Sequence, residues 1–305
     1  RKSRDEGKQG IMAWYWFVNN PGILEIVGKF SPENFHYHFD FFNNETLTGP
    51  IFNLLCLAAL FFLGLEVLKS KVWSLAMTTA FSFEHLFMVQ AQYAPLLDNI
   101  QLFFILLSFL TFIYWLRGKI TPVLPLLLLG GVVSVKFWIT GVVIYTSWLL
   151  YLLLAKKFKQ IINLFLYTPI AIVPLIISYA PIFLAGDSFQ RFLGIQKYIF
   201  VYHSGKIEFD PLAYFNLLFL NNWRAGSVDW QITWPIILIL SLVAVFKIFK
   251  QKKFNLDIAV ITSLFVTYTV FLFFGSLLPR YLIPILPMMY LLSFYMIKEI
   301  YEYLD

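Results

Sequence analysis

The sequence predicts an all-α polytopic membrane protein. Three observations carry that prediction: the composition, the length of the apolar runs, and the placement of basic residues between them. Of 305 residues, 60% are hydrophobic and 20% aromatic, while 13% are charged. Water-soluble domains carry roughly a quarter charged residues. A soluble fold of this composition would expose large contiguous apolar patches, whereas lipid would cover them.

An α-helix needs about 20 apolar residues to cross roughly 30 Å of hydrocarbon. Apolar runs of that kind occur at Pro50–Leu68, Val72–Gln90, Ile100–Leu116, Thr121–Val135, Phe137–Ala155, Ile161–Leu184, Ile232–Ile248, Leu256–Gly275 and Tyr281–Ile297. The expectation is therefore about nine transmembrane helices, with the pair flanking Gly130–Lys136 short or interrupted by glycine.

The formal net charge is +6, but much of the basic charge sits in clusters between apolar runs: Lys69/Lys71, Arg117/Lys119, Lys156/Lys157/Lys159 and Lys247/Lys250/Lys252/Lys253. This is the pattern of cytoplasmic loops rather than of a nucleic-acid-binding face. A single topology places all four clusters, with the tail at Lys298, on one side. The segments near Asp98 and Lys136, the stretch Asp187–Trp230, and Leu278–Arg280 then lie outside, as does everything before Pro50. An outside amino-terminal segment implies one more transmembrane helix upstream of Arg1.

Four regions follow from this reading. Residues 1–49 form a first outer loop with an acidic motif and interfacial helices, and residues 50–184 form transmembrane helices. Residues 185–231 form a second long outer loop, and residues 232–305 form C-terminal transmembrane helices. Met12–Val18 and Phe189–Val201 are the candidate interfacial helices, with Trp14, Trp16 and Tyr198 at headgroup level. The single cysteine, Cys56, excludes an internal disulfide and a cysteine-based metal site. The histidines lack zinc-type spacing. The sequence carries no clear internal repeat, which weighs against an inverted-repeat transporter.

Three stretches share a pattern. Ser3-Arg4-Asp5-Glu6-Gly7 is followed by Leu47-Thr48-Gly49-Pro50 at a helix start. Tyr93-Ala94-Pro95-Leu96-Leu97-Asp98 puts an acid at an outer helix start, and Pro279-Arg280-Tyr281-Leu282-Ile283-Pro284 opens a late helix. In order and spacing these resemble the glycosyltransferase-C superfamily, in particular protein O-mannosyltransferases and aminoarabinose transferases. Gly131–Gly141, centred on Lys136, is similar to that family's stretch between two short helices. Many relatives have lysine or histidine where this chain has Thr48; His36 and His38 lie near it but out of register.

The resemblance implies an enzyme that takes a sugar from a polyprenyl-phosphate donor, such as a dolichyl phosphate. The acceptor would be a protein or a lipid-linked glycan on the extracytoplasmic or lumenal face. It implies residence in a prokaryotic plasma membrane or the endoplasmic reticulum. Asp5 is then the candidate base, with Glu6 as second choice, against the plain alternative of solvated terminal acids. A guanidinium grips phosphate in bidentate fashion, so Arg280, with Tyr281, is the candidate donor-phosphate group; its bland role is a snorkelling interfacial arginine. Lys136 is either a second phosphate ligand or an anchoring loop lysine. Asp98 either complements a helix N-terminus or shapes the site and holds Mg²⁺ or Mn²⁺.

Glu84 and His85 fall inside a predicted span, where ionisable groups usually have a structural partner or a functional task. They are read as an interhelical polar contact, as cavity lining, or as a proton-coupling pair. Two other functions therefore stand beside glycosyl transfer: a non-catalytic scaffold subunit with membrane-protein partners, and a secondary transporter.

Overall fold

In the computed structural model, the described residues are 45–92, 98–135, 139–184, 188–190, 193, 209–220, 230–250, 256–274 and 279–304. Their regular structure is helical. In chain order the α-helices are α1 (Glu45–Leu68), α2 (Lys71–Ser82), α3 (His85–Gln92), α4 (Asp98–Leu116), α5 (Val123–Val135) and α6 (Ile139–Leu154). They continue with α7 (Phe158–Tyr167), α8 (Ile172–Leu184), α9 (Pro211–Leu220), α10 (Thr233–Lys250), α11 (Leu256–Leu272) and α12 (Leu286–Leu304).

Four helical stretches are long and apolar enough to cross a membrane: Pro50–Leu68, Asp98–Leu116, Phe158–Ser178 and Thr233–Lys250. Val123–Val135, Ile139–Leu154 and Leu256–Leu272 are apolar but shorter. A count of nine full spans therefore exceeds what the described helices provide by length and composition.

Three departures from the expected elements have local causes. The run Val72–Gln90 is not one helix but two, α2 and α3, broken at Phe83–Glu84. The Phe83 N–H closes back on the Ala80 carbonyl at 3.3 Å and the Glu84 N–H on Phe81 at 3.0 Å, a tight turn in place of the continuing ladder. The last run does not start at Tyr281. Pro279–Leu282 is a 3₁₀ turn and α12 begins only at Leu286, because Pro284 disfavours the helical conformation before it while Pro287 fits a first helical turn. The expected outer loop 185–231 contains α9, whose apolar run PLAYFNLLFL buries Tyr214, Leu217 and Leu218. Asp210 caps its start, accepting from the Ala213 N–H at 2.9 Å. Met12–Val18 lies outside the described residues, as does most of Phe189–Val201.

Packing follows from which helices are apolar all round. The Asp98–Leu116 helix has 78% of its window buried and stands at the centre, between α1 and α5. Phe112 on α4 stacks on the fully buried Trp148 of α6, with ring centroids 4.5 Å apart and 9° between planes. The α6 helix packs on α11, and α10 packs on α12. Phe158–Ser178 is peripheral, with 11% of its window buried, and it turns Ile162, Phe165, Leu166, Ile176 and Ile177 outward. Such a face fits lipid better than water. A close approach fixes the contact between α5 and the 3₁₀ turn ahead of α8. A Cβ on Gly130 would meet the Ala171 carbonyl oxygen and come within 2.8 Å of Pro174.

Described members of the basic clusters, Lys69, Arg117 and Lys247, meet acids at one end of the bundle. Arg117 pairs with both Glu66 and Asp257, and Lys69 reaches Asp257 at 2.9 Å. Lys247 pairs with Glu299 at 2.8 Å, and the Lys298 ammonium donates to the Leu68 carbonyl at 2.8 Å. Burial works against the Arg117 charge, but hydrogen bonds and attraction from Glu66 and Asp257 prevail and raise its pKa further. These contacts tie the ends of α1, α4, α10, α11 and α12 into one basic face.

Candidate functional site

The opposite end holds the predicted site residues that the structure describes. Asp5, Glu6 and Lys136 lie outside the described residues. Glu84, His85, Asp98, Arg280 and Tyr281 lie within them.

Glu84 occupies the break between α2 and α3 and is fully buried. Trp234 Nε1–H donates to its Oε1 at 2.9 Å and the Tyr290 hydroxyl donates to its Oε2 at 3.0 Å. The Gln231 amide, oriented with its nitrogen toward the carboxylate, donates to both oxygens at 3.0 and 2.9 Å. Its carbonyl in turn accepts from the His85 N–H at 2.9 Å. A buried carboxylate is tolerated when donors surround it, and here they come from the start of α10 and the first turns of α12. Because Glu84 leaves the helix, its carboxylate reaches donors on two helices at once. The geometry is that of an interhelical tie.

A second polar group lies beside it. The Asn99 amide donates to Asn53 Oδ1 and to the Phe87 carbonyl at 3.4 Å, and the Asn53 amide donates to the same carbonyl at 3.3 Å. Cys56 Sγ donates to the Asn99 carbonyl at 3.1 Å, and Gln101 Nε2 donates to Val132 at 3.2 Å. Asp98, at the first position of α4, is buried. Its charge acts on the buried Tyr268 of α11, and so does Tyr281. The fold thus brings Asp98 and Tyr281 around one tyrosine, although they lie 183 positions apart along the chain (281 − 98).

Arg280 sits in the 3₁₀ turn before α12, with its guanidinium 5.6 Å from the centre of the Tyr281 ring. Its Nε is buried and makes no hydrogen bond. A buried guanidinium nitrogen without an acceptor is costly, and an anion is the partner that best relieves it. Among the described residues no three of His, Cys, Asp and Glu converge as a metal site.

Sequence reasoning missed Gln231, Trp234, Tyr290, Asn53, Asn99 and Tyr268. The adjacent pair Asp98-Asn99 at a helix start was a usable signal for Asn99. Nothing local marks Trp234 or Tyr290, which resemble ordinary interfacial aromatics until the bundle is assembled. No protein-family model, curated protein or solved structure matches the chain.

Proposed function

We propose that the chain transfers a sugar from a polyprenyl-phosphate donor to an acceptor on the side of the membrane opposite the basic face. The observation that carries this reading is Arg280: a partly buried guanidinium whose Nε has no acceptor, at the end of the bundle away from the lysine clusters. The ordered set of Asp5, Asp98 and Arg280-Tyr281 motifs supports it from the sequence.

In this reaction the acceptor hydroxyl oxygen attacks the sugar's anomeric carbon and the bond from that carbon to the phosphate oxygen breaks. The electron pair leaves with the polyprenyl phosphate, and the acceptor proton goes to Asp5, with Glu6 beside it. Arg280, with Lys136, holds the phosphate as its negative charge grows. One displacement inverts the anomeric configuration, as in single-displacement glycosidases. Tyr281 stands with Arg280 on the phosphate, and Asp98, with Glu84 and His85, shapes the site in this reading. Mg²⁺ or Mn²⁺ at Asp98 is an optional part of the proposal, suited to oxygen ligands.

The test is mass spectrometry of lipids that co-purify with the full chain, wild type beside Arg280→Ala. A polyprenyl phosphate or its glycosylated form, present in wild type and depleted in the variant, supports the donor site and identifies the sugar. Equal lipid profiles in which ordinary phospholipids alone appear would move the reading to a non-catalytic scaffold subunit.

A further inference from the structure

The basic end of the bundle contains a cavity of about 360 Å³ between the ends of α6 and α10 and the start of α11. Its volume falls within the roughly 300–1,000 Å³ of small-molecule sites. Leu150, Tyr151, Ala259, Thr262 and Val266 line its depth, and Lys156 and Lys157 line its mouth. Along α11 the lining runs from Leu256 to Val266, about 15 Å at ~1.5 Å per residue. That is half of a roughly 30 Å hydrocarbon core, the depth of one leaflet.

Among the described residues neither Lys156 nor Lys157 has an ion-pair partner, and the neighbouring carboxylate, Asp257, is engaged by Arg117 and Lys69. Lys156 is held at φ 54, the left-handed region, in the turn that places the two lysines beside the cavity. Burial lowers the Lys157 pKa, a cost that an adjacent anion offsets.

We propose that this cavity is a binding site for an anionic phospholipid of the leaflet on the basic side, with one acyl chain in the slot and the phosphate between Lys156 and Lys157. Apolar depth with cationic groups only at the mouth matches that amphiphile: a free phosphate leaves the slot empty, and a zwitterionic headgroup brings its own cation to the lysines. Basic pockets between membrane helices on the cytoplasmic side take such headgroups. The site lies at the opposite end from Arg280 and does not depend on the glycosyl-transfer reading.

The test gives the delipidated full chain, in detergent, equal amounts of dioleoyl phosphatidylglycerol and dioleoyl phosphatidylcholine and counts retained lipid by native mass spectrometry. The two lipids share acyl chains and differ in headgroup charge. Phosphatidylglycerol is expected to be retained roughly tenfold better, and the K156A/K157A double variant is expected to lose that preference. Ala259→Leu keeps both lysines but fills the slot, and is expected to lose phosphatidylglycerol retention while eluting as a folded monodisperse protein. Equal retention of the two lipids by wild type would overturn the proposal. So would a preference that survives in the lysine variant, or one that Ala259→Leu leaves intact, since the attraction would then belong to the surface and not to the slot.

Discussion

Trp234 and Glu84, 150 positions apart in the chain, meet through a 2.9 Å hydrogen bond from the indole N–H to a fully buried carboxylate. Tyr290 and Gln231 complete the shell. Glu84→Ala strands three donors in the interior, so it should destabilise the protein by about 2–4 kcal/mol, and Glu84→Gln by less because an amide still accepts. Thermal unfolding of the purified variants measures both. A melting temperature unchanged in Glu84→Ala would remove the interhelical tie. If the proton-coupling reading held instead, Glu84→Gln would abolish proton-dependent solute flux without loss of stability.

Arg117 bridges Glu66 and Asp257 across three helices, with all three side chains at most 22% exposed. Arg117→Ala leaves the buried Asp257 and the part-buried Glu66 facing each other without the guanidinium that bridges them. The expected loss is about 1–3 kcal/mol, and Arg117→Lys should recover part of it, since an ammonium lacks the fork that reaches both acids. Unfolding in detergent at low and high salt checks this, and the Arg117→Ala deficit should change little with salt because the site is screened poorly.

Gly130 has no room for a side chain against the Ala171 carbonyl and Pro174. Gly130→Val must push α5 away from the 3₁₀ turn before α8, at a cost of roughly 1–3 kcal/mol. Gly118→Ala meets open space, but its φ of 73 penalises a Cβ by about 1 kcal/mol. The two variants thus separate steric from backbone effects, and melting temperatures that fell equally would contradict the ordering.

Under the glycosyl-transfer proposal, Asp5→Asn should lower turnover by about 10²–10⁴-fold, the usual contribution of a general base. It should leave retention of the polyprenyl-phosphate donor intact. Arg280→Ala should lower retention, and Arg280→Lys should restore part of it, because a point charge replaces a bidentate fork. Donor co-purification and a transfer assay with the sugar so identified give the two readouts. Asp5→Asn with undiminished transfer would remove Asp5 as the base.

Composition and the periodic absence of charge determined the helical class and the apolar character of these helices, because burying backbone in lipid leaves few alternatives to helix. The spacing of lysines and arginines likewise foretold a basic face, since like-signed flanks must share a side in an alternating bundle. The positions of individual breaks were less legible. Val72–Gln90 reads as one helix by hydropathy, and only the donors supplied by Trp234, Tyr290 and Gln231 make a break at Glu84 favourable. The helix in the 185–231 segment was hidden for a related reason, because a ten-residue helix is too short to span and α9 is held by tertiary burial of Tyr214, Leu217 and Leu218. Local sequence therefore set which segments are helical and apolar, through side-chain transfer energies that act residue by residue. Tertiary structure alone decided which polar groups meet, because the partners of Glu84, Arg117 and Asp98 come from helices far away in the chain, and a hydrogen bond or ion pair exists only once packing has brought both halves together.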